Sequence, residues 1–170
     1  MILGFKQMFP WGEPTYFREK IWAYYGYKDI GAVNSHTGQP WPYLYIPSVL
    51  NHEGIKTYKP KIHTIREDKH DRWKPGMSIQ MVYRGPKYSI LHHFNKGIPE
   101  LEKCSSVQTI VIKYDGVSLL PTVKVDGRFL GLGEIDKLAQ NDGFKGVNDF
   151  FNWFSKDFSG NIIGWTDLKY

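Results

Sequence analysis

One cysteine, Cys104, among 170 residues leaves no partner for an internal disulfide. A disulfide-stapled fold is therefore excluded, and the count fits a reducing compartment. Nothing beside Cys104 in the sequence would lower its pKa, so it reads as a small buried residue and not as a nucleophile. Long apolar runs are missing too. None approaches the roughly 20 residues that a membrane-spanning helix needs. The N-terminal MILGFKQMFPWGEP lacks the basic-then-apolar layout of a signal peptide. A cytoplasmic protein without a membrane partner is expected. Metal patterns are absent as well: the six histidines include the adjacent His92 and His93, but there is no His-x-x-x-His and no cysteine pair. Gly131-Leu132-Gly133 lacks the rest of either nucleotide-loop fingerprint. No metal and no cofactor is expected, and no internal repeat is found.

What is present is aromatic and basic. Hydrophobic residues make up 41% and aromatics 16%, which argues for an ordered core and against disorder. The length suits one domain over residues 1–170. Lysine and arginine number 22 against 17 acidic residues, a net charge of +5. Between Lys56 and Lys74 stand seven basic residues (Lys56, Lys59, Lys61, Arg66, Lys69, Arg72, Lys74) and three acidic ones (Glu67, Asp68, Asp71). Seven minus three places +4 of the +5 in this window. Such an excess attracts phosphates or other anions, or else forms a solvated charged loop.

The periodicity gives an α+β order. Ile2–Phe5 reads as a short strand, and Thr15 is placed to cap a helix over Tyr16–Tyr25 with Phe17, Lys20, Ile21 and Tyr24 on one face, the lysine snorkelling. Residues 26–59 hold three prolines between Pro40 and Pro47 and read as a long loop insertion. Its aromatics (Tyr27, Trp41, Tyr43, Tyr45, Tyr58) either stack on a planar ligand or fasten the loop to the body. Alternation predicts strands at Met77–Arg84 and Val107–Tyr114, and Asp126-Gly127 predicts a two-residue hairpin turn. Ile135, Leu138 and Ala139 give a short helix ended at Asn141-Asp142-Gly143. Val147, Phe150, Phe151, Phe154 and Phe158 are spaced for a second helix. A last strand lies in NIIGWTDLKY. Helices packed on antiparallel strands suggest a small β-barrel.

Within this order, Lys61-Ile62-His63-Thr64-Ile65-Arg66, followed by Lys74-Pro75-Gly76 and a strand, resembles the signature of the ASCH family. The helix before the signature, the late helix pair joined by Asn141-Asp142-Gly143-Phe144, and a C-terminal stretch similar to the last strand of a phage- and Bacteroidetes-like subgroup extend the resemblance. It covers the chain outside the insertion. The resemblance implies a PUA-like barrel, the fold of many RNA-modification modules. It also implies kinship with small amidohydrolases that remove the acetyl group from acetylated cytidine using a lysine, a threonine and a glutamate. On this chain the lysine falls on Lys61, the threonine on Thr64, and the following arginine on Arg66. The glutamate falls near the late turn, where the chain has Asp142, one methylene shorter.

These residue types suit amide hydrolysis. A threonine hydroxyl needs a base, and a buried lysine with a lowered pKa supplies one. Asp142 would then hold the proton for the leaving amine, and Arg66 would attract an anion or the oxyanion, with His63, Arg72 and Lys74 as further substrate- or anion-binding candidates. In a regular strand Lys61 and Thr64 point to opposite faces, so they converge only if Lys61 sits in the turn entering the strand. On this reading the isoleucines face the core, while the lysine, threonine and arginine face a pocket for a nucleoside, nucleotide or RNA segment. Trp73 is either core or a stacking platform. Two further readings stay open: a non-catalytic RNA-binding or regulatory module on the same basic rim, and a protein-interaction domain that docks a partner through the insertion. The sequence leaves the oligomeric state open.

Overall fold

The computed structural model describes residues 1–24, 59–84 and 91–170. The expected insertion, with all five of its aromatics, lies outside the described residues apart from Lys59. The elements run β1 (Ile2–Phe5), α1 (Phe17–Tyr24), β2 (His63–Arg66), β3 (Gln80–Arg84), β4 (Leu91–His93), a short 3-10 turn (Pro99–Leu101), β5 (Ser106–Lys113), β6 (Thr122–Val125), β7 (Arg128–Phe129), α2 (Leu132–Asn141), α3 (Val147–Trp153) and β8 (Phe158–Gly164). The α+β class therefore holds.

Two sheets share one core. The larger, ordered β2-β8-β5-β6-β7, is antiparallel throughout. The smaller, β1-β3-β4, contains a parallel pair, β1 with β3, beside the antiparallel pair β3 with β4. A parallel pair needs a crossover rather than a hairpin, and the chain between β1 and β3 provides it by passing through α1 and β2. Alternation places Ile110 and Ile112 of β5, Leu3 and Phe5 of β1, and Val123 and Val125 of β6 inside. Phe17, Ile21, Leu138, Phe144 and Phe150 close the core from the helical side.

Among the described residues the strands do not form a closed barrel. At one junction the sheets are knitted by backbone: Gly76 N–H donates to Cys104 O at 2.7 Å, Ile79 N–H to Glu102 O at 2.8 Å, and Cys104 N–H to Met77 O at 2.9 Å. β3 begins at Gln80 and not at the expected Met77, because its ladder with β1 starts opposite Ile2. At the other junction, between β1 and β2, no ladder forms among the described residues. The link is a side chain: the Arg66 guanidinium donates to Gly4 O at 2.6 Å and lies 5.5 Å from the centre of the Phe5 ring.

Other departures have local causes. The Thr15 hydroxyl donates to Lys6 O at 2.7 Å, so it ties α1 to the turn after β1 and is not committed to capping. Tyr24 is exposed, and Trp22 is buried in its place. The last helix stops at Trp153, and Phe158 opens β8 opposite Ile112. Tyr114 OH donates to Phe154 O at 2.6 Å, and Asp157 accepts the Tyr114 N–H at 2.9 Å. The edge of β5 thus captures the chain before the helical spacing can extend to Phe158. The Asp126-Gly127 hairpin is as expected, with φ of 48° and 82°, the left-handed pair a two-residue turn requires. Trp73 and Cys104 are both core residues.

Candidate functional site

The edge of β2 away from β8 is where the chemistry gathers. Two elements cover its N-terminal end: the N-terminal half of α1, through Phe17 and Lys20, and the turn between α2 and α3. Lys61 N–H donates to Lys20 O at 3.0 Å, and Ile62 N–H to Asn141 O at 2.9 Å. Lys61 therefore precedes the strand, as its convergence with other site residues requires. Gly143 ends the α2 turn with φ +91°, and its α-carbon packs on Phe17 and Lys61. A β-carbon there would come within 3.0 Å of the Phe17 ring and 3.2 Å of Lys61 Cδ. Only glycine lets this turn approach so closely.

That approach delivers Asp142 to Lys61. The Lys61 ammonium donates to both a carboxylate oxygen and the backbone carbonyl of Asp142, and both side chains are buried. It also lies 4.5 Å from the centre of the Phe17 ring, within cation–π range. Burial is the main force on both groups. It pulls Lys61 down to about 8 against the attraction of Asp142, and nearby Arg66 and Lys20 push the same way. It raises Asp142, against Lys61, Arg66 and the Ile65 backbone N–H, which all favour the carboxylate. Lys61 was expected to face a pocket and to serve as a base if burial lowers its pKa. It is 1% exposed, with its charge enclosed, because the turn and Phe17 close over it.

The remaining candidates divide into two groups. Thr64 is buried in β2, and among the described residues its hydroxyl makes no hydrogen bond, to Lys61, Asp142 or any other group. Ile65 joins the core cluster. Ile62, three residues earlier and on the opposite side of the strand, is buried but outside that cluster, so the two isoleucines do not share the core face. Arg66, half-buried, serves the β1–β2 seam. His63 is buried beside Lys61 and edge-on to Tyr170, with ring centres 5.4 Å apart. Desolvation, then the Lys61 charge, holds it well below the usual histidine pKa. Arg72 and Lys74 belong elsewhere: both are exposed on the β2–β3 loop, paired with Asp68 at 3.4 Å and Asp71 at 2.6 Å.

Three participants were not legible as such in the sequence. Lys20 was placed on the buried face of α1, but its bond to Gly143 O at 2.6 Å and its lowering to about 8, mainly by desolvation, depend on the docked turn. Asn141 donates to Tyr170 OH at 2.7 Å. Tyr170 itself carries no sequence signal; Gln108 holds its backbone through Oε1 at 2.9 Å and Nε2 at 3.1 Å. Among the described residues no group of three or more His, Cys, Asp or Glu is placed to hold a metal ion. No helix among them is long and apolar enough to cross a membrane.

No family profile, curated protein or solved structure matches this chain, so the ASCH resemblance rests on the Lys61–Arg66 pattern and the order of elements around it.

Proposed function

We propose that this chain is a nucleoside-, nucleotide- or RNA-associated protein of ASCH, PUA-like type that hydrolyses the amide of an acetylated cytidine. One observation carries the reading: an enclosed lysine with pKa near 8, bonded to an enclosed carboxylate, two residues before a strand that bears a buried threonine. With a pKa of about 8, about a tenth of Lys61 is the free amine at pH 7. That fraction serves as base for the Thr64 hydroxyl. The threonine oxygen bonds to the acetyl carbon, and Arg66 attracts the oxyanion. The carbon–nitrogen bond then breaks as Lys61, with Asp142 beside it, returns the proton to the leaving amine. Water releases acetate from Thr64 through the same base.

The test follows cytidine release from acetylated cytidine by chromatography. Turnover by the parent should fall at least about 100-fold in Thr64→Val and Lys61→Met, the scale of lost base or nucleophile assistance. The parent rate should rise with pH through about 8 and then level off, because the reactive form is the free amine. No turnover at high enzyme concentration, or turnover indifferent to Thr64→Val, overturns the amidase reading.

The second reading, a non-catalytic RNA-binding module, is favoured by the exposed Lys69, Arg72 and Lys74 side chains, whose partners are acids of the same loop. The exposed pairs of Lys69 and Lys74 are worth little and exchange readily for phosphate. RNA affinity that falls steeply with salt, and falls again on substituting these three residues, would support it.

A further inference from the structure

His63 raises a problem that the lysine–carboxylate pair does not solve. Its ring is 2% exposed, and its two nitrogens have different surroundings. Nδ1 lies 3.3 Å from the Tyr170 hydroxyl. Nε2 is buried without a hydrogen-bonding partner among the described residues. The charged groups around the ring are Lys61, two residues before the strand, with Asp142 and Arg66 next to Lys61; none of them is hydrogen-bonded to His63. A cationic imidazole so close to the ammonium, without a carboxylate of its own, would be costly, so the ring is neutral. A neutral imidazole has one N–H and one bare nitrogen.

The neighbours decide which is which. Asn141 Nδ2–H donates to the Tyr170 oxygen at 2.7 Å, which leaves the phenol hydrogen to be donated onward. Its available acceptor is His63 Nδ1. The chain Asn141 to Tyr170 to His63 therefore fixes Nδ1 as the acceptor and puts the proton on Nε2. The backbone of Tyr170 is held on Gln108, so the phenol is positioned from both ends. What results is an oriented N–H, desolvated and without an acceptor among the described residues. An uncompensated buried donor is costly, and this one stands on the strand that carries Thr64 and next to Lys61.

We propose that His63 is a ligand-binding residue whose Nε2–H, oriented by Asn141 and Tyr170, donates a hydrogen bond to a neutral carbonyl oxygen of the bound molecule. The ligand class rests on the nucleoside reading above. A pyrimidine ring carbonyl and an acyl carbonyl present the same acceptor, and comparing cytidine with acetylated cytidine separates the two.

The experiment uses 15N-labelled whole chain and two-bond nitrogen–proton correlation spectra of the imidazole. In the free protein Nδ1 should carry the resonance of a bare nitrogen and Nε2 that of a protonated one; Tyr170→Phe should erode this preference. A protonated Nδ1, as would follow from an Asn141 amide turned the other way, overturns the proposal. Acetylated cytidine and then cytidine are titrated into the Thr64→Val variant, which should bind without turnover. The His63 Nε2 resonance should move on binding of one or both. His63→Phe should weaken binding about tenfold, while His63→Gln, whose amide N–H reaches a similar point, should restore most of the loss. Equal loss in the two variants marks a structural role and overturns the donor role. A ligand that binds and leaves Nε2 unmoved does the same, with enclosed water as the acceptor. Absence of any binding overturns the nucleoside reading and the donor role together.

Discussion

Lys61 and Asp142 illustrate how two ordinary side chains acquire unusual chemistry from burial. Enclosing an ion pair costs several kcal/mol per ion, which the mutual attraction does not reliably return, so such a pair is poor evidence of stability and better evidence of use. The pH dependence follows from the directions. Lys61 has its folded pKa near 8, below the ordinary 10.5, so between these values the unfolded chain binds more protons than the folded one. Stability contributed by this group therefore rises with pH across 8 to 10.5, and the penalty for holding it charged is complete below 8. Lys20 adds a slope of the same sign. Urea midpoints measured from pH 7 to 10 should increase in the parent. The double variant Lys61→Met/Asp142→Leu should lose the Lys61 share of that slope. It should also be no less stable than the parent at pH 7, whereas Lys61→Met alone should lose about 3–5 kcal/mol through the stranded carboxylate. A parent midpoint that falls with pH over this range contradicts the buried-lysine account.

At the scale of elements, the decisive piece is the turn between α2 and α3. Two lysines grip its consecutive carbonyls: Lys61 on Asp142 and Lys20 on Gly143. Phe17 lies between them, and Gly143 allows the contact by having no side chain. Gly143→Ala should cost about 1–3 kcal/mol from the left-handed backbone alone, with more from the crowded Phe17 ring. The turn would also back away from β2 and separate Asp142 from Lys61. Thermal unfolding reads the first effect, and the lysine Nζ resonance, moving toward its ordinary titration range, reads the second. The sequence marked this turn correctly, since Asn-Asp-Gly after a short amphipathic run ends a helix. It gave no means of seeing that the turn docks on the edge of β2, because that contact joins residues 81 apart in the chain.

For the molecule as a whole, the seam between the two sheets matters most. Among the described residues the larger sheet ends on β2, which pairs with β8, and Arg66 of β2 donates to Gly4 O where no ladder joins β2 to β1. Gly160 sits where β8 passes under the end of β2: a β-carbon there would stand 2.3 Å from Arg66 O and 2.8 Å from the Phe158 ring. Backbone cannot yield as a flexible side chain can, so Gly160→Ala should push β2 off β8 at this end. A loss of about 1–3 kcal/mol or more is expected, read as a lower urea midpoint. Amide exchange should also quicken at Ile65 and Arg66 before it does at Ile110 or Ile112. Uniform loss across both strands would show that the seam is not the weak point.

Some features were fixed by short-range physics and were therefore legible in the chain itself. The α+β class, the strand at Ser106–Lys113, the Asp126-Gly127 hairpin and the helix bearing Ile135, Leu138 and Ala139 follow from side-chain periodicity and turn chemistry, which act within a few residues. Lys61 and Asp142 were singled out by resemblance, as residues of the right type at suggestive positions. Their enclosure was not readable, since burial is a property of what packs around a residue and not of its neighbours in sequence. The parallel β1–β3 pair, the open seam bridged by Arg66, and the capture of Phe158 by β5 were decided only when distant segments competed for the same backbone groups. The Asn141–Tyr170–His63 relay belongs with them. It joins residues 63, 141 and 170, and only tertiary structure brings a C-terminal phenol to a histidine of β2.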